Sequence, residues 1–168
     1  MTVAEMPIDT QHPAAPALCR VRVWPLPVGP AHDAERSART IVRGVLADAD
    51  ASRDDVLEAE IIVAELAINA VQHAVPPYEV RVVFVGQRWP AWCDVADGGS
   101  DLERVRRRLG ETAVPDGAES ELTVRGRGLV MVNGLSGGRC AAYLTTVCPS
   151  NAAGKAVGFA LPGAGCVA

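Results

Sequence analysis

Apolar residues recur at two different spacings along this chain, and the changes of spacing mark its elements. From Cys19 the run Cys-Arg-Val-Arg-Val-Trp alternates up to Pro25 and Pro27, which predicts a half-buried or edge strand. Ala34, Ala38, Ile41, Val42 and Val45 then fall three and four residues apart, predicting an amphipathic helix over Ala31 to Asp48. Residues 47–52 break it. Asp54 to Ala74 reads as a longer and more apolar helix, entered through acidic residues that suit the positive end of the helix dipole and closed by Val75-Pro76-Pro77. Glu79 to Val85 and Ala91 to Ala96 predict two strands of an antiparallel hairpin, joined by a turn over 86–90. Residues 98–127 are polar, with Gly110, Pro115, Gly117 and a basic run from Arg104 to Arg108, and predict a lid or a partly helical excursion. A short helix from Gly128 to Leu135 and two strands, Arg139 to Val147 and Ala156 to Leu161, complete the order.

That order lacks the strict strand–helix alternation of a doubly wound parallel sheet. Consecutive strands joined by short turns predict an α/β two-layer sandwich, its sheet mixed but mainly antiparallel and its helices on one face. Residues 1–18, with Pro7, Pro13 and Pro16 among small and polar residues, fit neither period and read as a flexible tail, as do 163–168; the domain is expected over 19–162. A chain of 168 residues can bury a hydrophobic core without disulfides, and 49% apolar with 21% charged residues is ordinary for a globular fold. No apolar run is long enough for a membrane span and no signal peptide is evident, so the reading is cytoplasmic with no membrane partner. A net charge of -4 removes the global field that would draw the chain onto nucleic acid. The run Arg104 to Arg108 accordingly reads as a solvated helix face. Five cysteines without a C-x-x-C indicate neither a disulfide framework nor a zinc site.

Three features carry candidate chemistry. Glu65, Asn69 and His73 lie four residues apart, so a carboxylate, an amide and an imidazole share one stripe of an otherwise apolar helix. A single polar residue there would simply face water; three in register read as a site. Asp97-Gly98-Gly99 ends a strand, where glycines permit a sharp turn and a close ligand. Arg125-Gly126-Arg127-Gly128-Leu129 precedes an apolar helix whose first N–H groups could face phosphate. It is not a Rossmann fingerprint, because Met131 stands where the third glycine would be, and Gly154-Lys155-Ala156 is not a Walker A loop, because Pro149 and Ala156 replace its first glycine and its hydroxyl residue.

In this order the three features resemble the GHKL (Bergerat-fold) ATPases, among them gyrase, MutL and the histidine kinases. Glu65-Leu-Ala-Ile-Asn69-Ala-Val-Gln-His73-Ala is similar to their N box, Val95-Ala-Asp97-Gly-Gly99 to their G1 box and Arg125-Gly126-Arg-Gly128-Leu129 to their lid-closing G2 box. Gly154-Lys155-Ala-Val-Gly-Phe159-Ala-Leu161-Pro162 is similar to their last strand. The compact length and the absence of a helix carrying a phosphoacceptor His resemble the anti-sigma-factor serine/threonine kinase branch. The resemblance spans about residues 19–162.

What the resemblance implies is a Bergerat sandwich holding ATP and Mg2+. Glu65 matches the position that polarises the attacking group, Asn69 the Mg2+ ligand, and His73 a residue near the phosphates. Asp97 matches the acceptor of the adenine amino group, with Gly99 giving the base room. Gly126, Gly128 and Leu129 match the lid segment at the phosphates, and Arg125 and Arg127 are charge partners for the γ-phosphate. The implied partners are a sigma factor and an anti-sigma-factor antagonist phosphorylated on serine or threonine, with no direct nucleic acid; family members commonly act as homodimers. Three departures stand out: Ser100-Asp101 in place of a further G1 glycine, Ala156 where a threonine usually helps hold adenine through water, and a lid short in glycine and rich in Arg. They leave open a nucleotide-binding switch without kinase turnover, and a domain in which Glu65, Asn69 and His73 serve structure alone.

Overall fold

The computed structural model describes residues 19–86, 89–110 and 127–162, without the Arg127 side chain. The elements run β1 (Cys19–Leu26), α1 (Ala31–Asp48), α2 (Arg53–His73), β2 (Tyr78–Val85), β3 (Trp89–Asp97), α3 (Leu102–Leu109), α4 (Arg127–Leu135), β4 (Cys140–Val147) and β5 (Ala152–Ala160). The sheet order is β1-β2-β3-β5-β4, and every pair among the described residues is antiparallel. The expected mixed sheet is thereby corrected to an antiparallel one. β5 supplies the reason: it inserts between β3 and β4, which run in the same direction and would otherwise have paired as parallel neighbours.

Alternation along the strands builds two faces. Tyr78, Val80, Val82, Phe84, Cys93, Val95, Val157 and Phe159 point to one side, where they share a core with buried residues of all four helices, among them Val42, Leu46, Ile62, Leu66, Leu109 and Val132. The helices thus lie on one face, as the pattern predicted. The opposite side carries a smaller cluster of Val83, Trp92, Ala96, Tyr143, Val147 and Ala156. Beside it sits a buried polar group: Arg81 Nε donates to Asp94 Oδ1 at 2.6 Å, and the Tyr143 hydroxyl donates to Asp94 Oδ2 at 2.6 Å.

Several boundaries moved, and three differences have a tertiary reason. β1 runs through Pro25 to Leu26, because an edge strand tolerates a residue without N–H, and Leu26 gains a place in the core. β5 starts at Ala152 rather than Ala156, because the preceding residues pair with β4 from Val147 back to Leu144. The polar excursion contains α3, in which Leu102 and Leu109 reach the core, Arg107 points outward and Arg106 Nε donates to the Ala142 carbonyl of β4 at 3.0 Å. The tails at 1–18 and 163–168 and the remainder of the polar excursion lie outside the described residues. Among the described residues no helix is long and apolar enough to cross a membrane.

Candidate functional site

The longest helix begins with a capping arrangement: Ser52 Oγ accepts from the Asp55 N–H at 3.2 Å and donates to Asp55 Oδ2 at 2.7 Å. Ala59, Ile62, Val63, Leu66, Ala67 and Ala70 bury one side of α2, and this fixes the rotation of its polar stripe. Glu65 and Asn69 consequently face the first turn of α4. A Cβ added to Gly128 would lie 2.6 Å from Glu65 Oε2 and 3.3 Å from Asn69 Nδ2, so the glycine is what lets the two helices close around these groups. Asn69 Nδ2 is buried, with no hydrogen-bond partner among the described residues. A buried amide left unpaired is costly, and here it borders a cleft.

That cleft has apolar walls from Leu66 and Ala70 of α2, Val95 of β3, Val157 of β5 and Leu129 of α4. Its polar lining is Asn69, His73, Asp101, Arg104, Arg108 and Lys155. His73 is exposed at the end of α2 and reaches the same cleft. The cations Arg104 and Arg108 come from the helix face that the sequence reading had assigned to solvent. Their spacing of four residues was visible, but only the docking of Leu102 and Leu109 against the core aims them inward.

Asp97 ends β3 beside the same cleft, and its surroundings depart from expectation. Asp97 Oδ1 accepts from the Gly99 N–H at 2.7 Å and from Lys155 Nζ at 2.6 Å. Lys155 Nζ also lies 3.2 Å from Asp101 Oδ1. Burial pushes the Asp97 carboxyl above its ordinary range, against the pull of the Lys155 ammonium and the Gly99 N–H. A Cβ on Gly99 would meet Lys155 Nζ at 2.6 Å, so the room expected there for a base is bordered by an ammonium. Gly98 serves a different purpose: its N–H donates to the Val75 carbonyl at 2.8 Å and ties the turn to the end of α2. Lys155 stands directly across from Asp97 in the β3–β5 register, whereas Ala156 points to the other face of the sheet. Of the two, Lys155 lines the cleft beside Asp97 and Ala156 does not.

The donor set suits a nucleotide with Mg2+. Asn69 can offer its Oδ1 to a hard cation that keeps phosphate and water oxygens as its other ligands, while its unpaired Nδ2, a donor, suits an acceptor such as a phosphate oxygen. Among the described residues no group of three or more His, Cys, Asp and Glu could hold a metal by itself. Arg125 and Gly126 lie outside the described residues. Arg127 opens α4, and Gly128 and Leu129 border the cleft.

Residues 29–137 match the family model described as the histidine kinase-like ATPase domain. A chain in the crystal structure of the SiaB–SiaC complex from Pseudomonas aeruginosa is similar over 86% of this chain and 90% of its own, at 15% identity and a TM-score of 0.51. The mycobacterial sensor histidine kinase MprB is similar over 73% of this chain and 94% of its own, at 17% identity and a TM-score of 0.44. At these identities the first likeness is one of fold. No curated protein matches the sequence.

Proposed function

We propose, on the premise that this chain belongs to the histidine kinase-like ATPase domain family, that it is an ATP-binding serine/threonine kinase acting as an anti-sigma factor. It would phosphorylate a small antagonist protein and sequester a sigma factor according to the antagonist's state. The observation that carries this reading is the meeting of Glu65 and Asn69 with the first turn of α4 at Gly128. A carboxylate and a metal-binding amide one helical turn apart, facing helix N–H groups, provide a base, a cation ligand and a phosphate cradle together.

Bound ATP with Mg2+ would supply the γ-phosphoryl group and neutralise its oxygens. Asn69 would hold the cation through its amide oxygen. Glu65 would take the proton of the antagonist's hydroxyl as that oxygen bonds to phosphorus and the bond to the ADP oxygen breaks. Arg104 and Arg108 would pair with phosphate charge from the α3 side, and His73 would border the same groups. The similarity to a chain of a two-protein complex accords with a protein partner.

Calorimetry with ATP, with and without Mg2+, beside Asn69→Ala and Asp97→Ala, tests the nucleotide half. Binding whose Mg2+ dependence disappears in Asn69→Ala is the expected result. Transfer of labelled phosphate to a cognate antagonist, abolished by Glu65→Ala, tests the kinase half. Tight ATP binding without transfer would favour a second reading, a nucleotide switch without turnover, which rests on Ala156 and on Ser100-Asp101 following Gly99.

A further inference from the structure

The outward side of α2 is apolar where a surface helix is ordinarily polar. The helix packs on β2 and β3 beneath it, with α1 and α4 on its flanks, so one side is left to water. Leu57, Ile61 and Ile68 occupy that side, within an arc of about 40°. Leu57 is 47% exposed and Ile61 40%, and Ile68 is half-buried. Met131, also exposed, follows Gly128 by one turn on α4 and so shares the side of that helix that meets Glu65. Carboxylates rim this ridge. α2 carries Asp54, Asp55, Glu58, Glu60 and Glu65 against Arg53 and the terminal His73. Ser52 engages Asp55 and Arg43 of α1 engages Glu60, which leaves Asp54, Glu58 and Glu65 without a cationic partner among the described residues. We infer that this ridge is the docking surface of a protein partner that presents apolar side chains flanked by lysine or arginine. The inference deepens the kinase reading above and rests on it in one respect: the docked segment would carry the acceptor hydroxyl to Glu65.

Charge selects this occupant. A second copy seated α2 against α2 about a two-fold axis would bring Asp54, Glu58 and Glu65 of both copies together, and like charges across an interface oppose its formation. It would also close the side from which a hydroxyl reaches Glu65. A nucleic-acid backbone or an anionic lipid surface meets the same repulsion. A segment with cationic residues beside apolar ones answers both features of the ridge. Covering Leu57 and Ile61 removes their apolar surface from water, and the carboxylates at the rim steer and orient the partner. Spacing adds a constraint, because Glu65 stands one helical turn beyond Ile61. The side chain that covers Ile61 must therefore lie about 6 Å along the helix from the hydroxyl that Glu65 receives.

The test uses two fluorescein-labelled probes: an amphipathic peptide of leucine and lysine with its leucines at helical spacing, and its twin with glutamate for each lysine. Anisotropy titrations are made on the whole chain as wild type, Leu57→Ser and Ile61→Ser, with melting temperatures, sedimentation and ATP calorimetry alongside. Wild type should bind the lysine probe about tenfold or more tighter than its twin. Each substitution should weaken the lysine probe about tenfold, with melting and ATP affinity as in wild type. Both substitutions leave net charge untouched, so general attraction of a basic peptide to an acidic chain does not account for such a loss. Equal binding of the two probes, or lysine-probe binding that neither substitution moves, would overturn the assignment while leaving the nucleotide site standing. A wild-type dimer that Ile61→Ser dissociates would overturn it in favour of a second copy. Wild type that takes the probe at the ridge but binds no ATP would remove the kinase reading, and the ridge would lose its role as the acceptor's dock.

Discussion

Gly128 allows α2 and α4 to meet at Glu65, yet the atom nearest its missing Cβ is the far end of a flexible side chain. Gly128→Ala should therefore fold, with stability within about 1 kcal/mol of wild type because alanine favours the helix. It should weaken Mg2+-dependent nucleotide binding about tenfold by pushing Glu65 and Asn69 out of position. Denaturation and calorimetry on one preparation separate the two effects; equal losses in both would show that Gly128 is needed only for packing. Asp94 gives the opposite case. It lies on the sheet face away from the cleft, 1% exposed, with Arg81 and Tyr143 on its two oxygens. Asp94→Asn should cost about 3–5 kcal/mol, since it strands a buried guanidinium. Folded protein should still bind nucleotide normally, and a urea titration showing a loss under about 1 kcal/mol would reject the estimate.

At the scale of elements, α1 was legible to the residue, because its apolar spacing and its stops lie in the local sequence. α2 was legible to within a residue at each end, its start set by the Ser52 cap. Removing that cap in Ser52→Ala should lower stability by about 1 kcal/mol, read from the melting midpoint, and leave the cleft untouched. β5 was not legible at its start, because Ala152, Ala153 and Gly154 have no strand preference of their own and enter the sheet only through β4. Its glycine at 158 fits tightly against β3: a Cβ there would meet Trp92 Nε1 at 2.5 Å and the Cys93 carbonyl at 2.7 Å. Gly158→Ala should destabilise by about 1–3 kcal/mol, because backbone on both strands must shift. A variant as stable as wild type in chemical denaturation would mean that the strands separate freely at that point.

Across the whole molecule, buried charge makes stability depend on pH. Burial pushes the Glu79 carboxyl up, a cost that the Cys148 N–H and the Arg81 charge only partly offset and that Asp94 increases. A carboxyl raised on folding stabilises the fold below its ordinary value near 4 and loses that contribution as pH rises through the raised value. Wild type should accordingly lose stability relative to Glu79→Gln as pH increases from about 4 towards 7. A difference that stays flat over that range in denaturation series would exclude Glu79 as its source. The sequence by itself determined α1, α2, α4, the hairpin, the two-layer class and the polar stripe of Glu65, Asn69 and His73, because period and spacing are properties of neighbouring residues. It also placed Asp97 at a strand end. Tertiary structure alone decided what those groups face. Lys155 meets Asp97 because β5 inserts beside β3 in one register, Ala156 turns away because successive strand residues alternate, and Arg104 and Arg108 enter the cleft because Leu102 and Leu109 dock α3. Each of those contacts joins residues far apart in the chain, and no local pattern encodes such a distance.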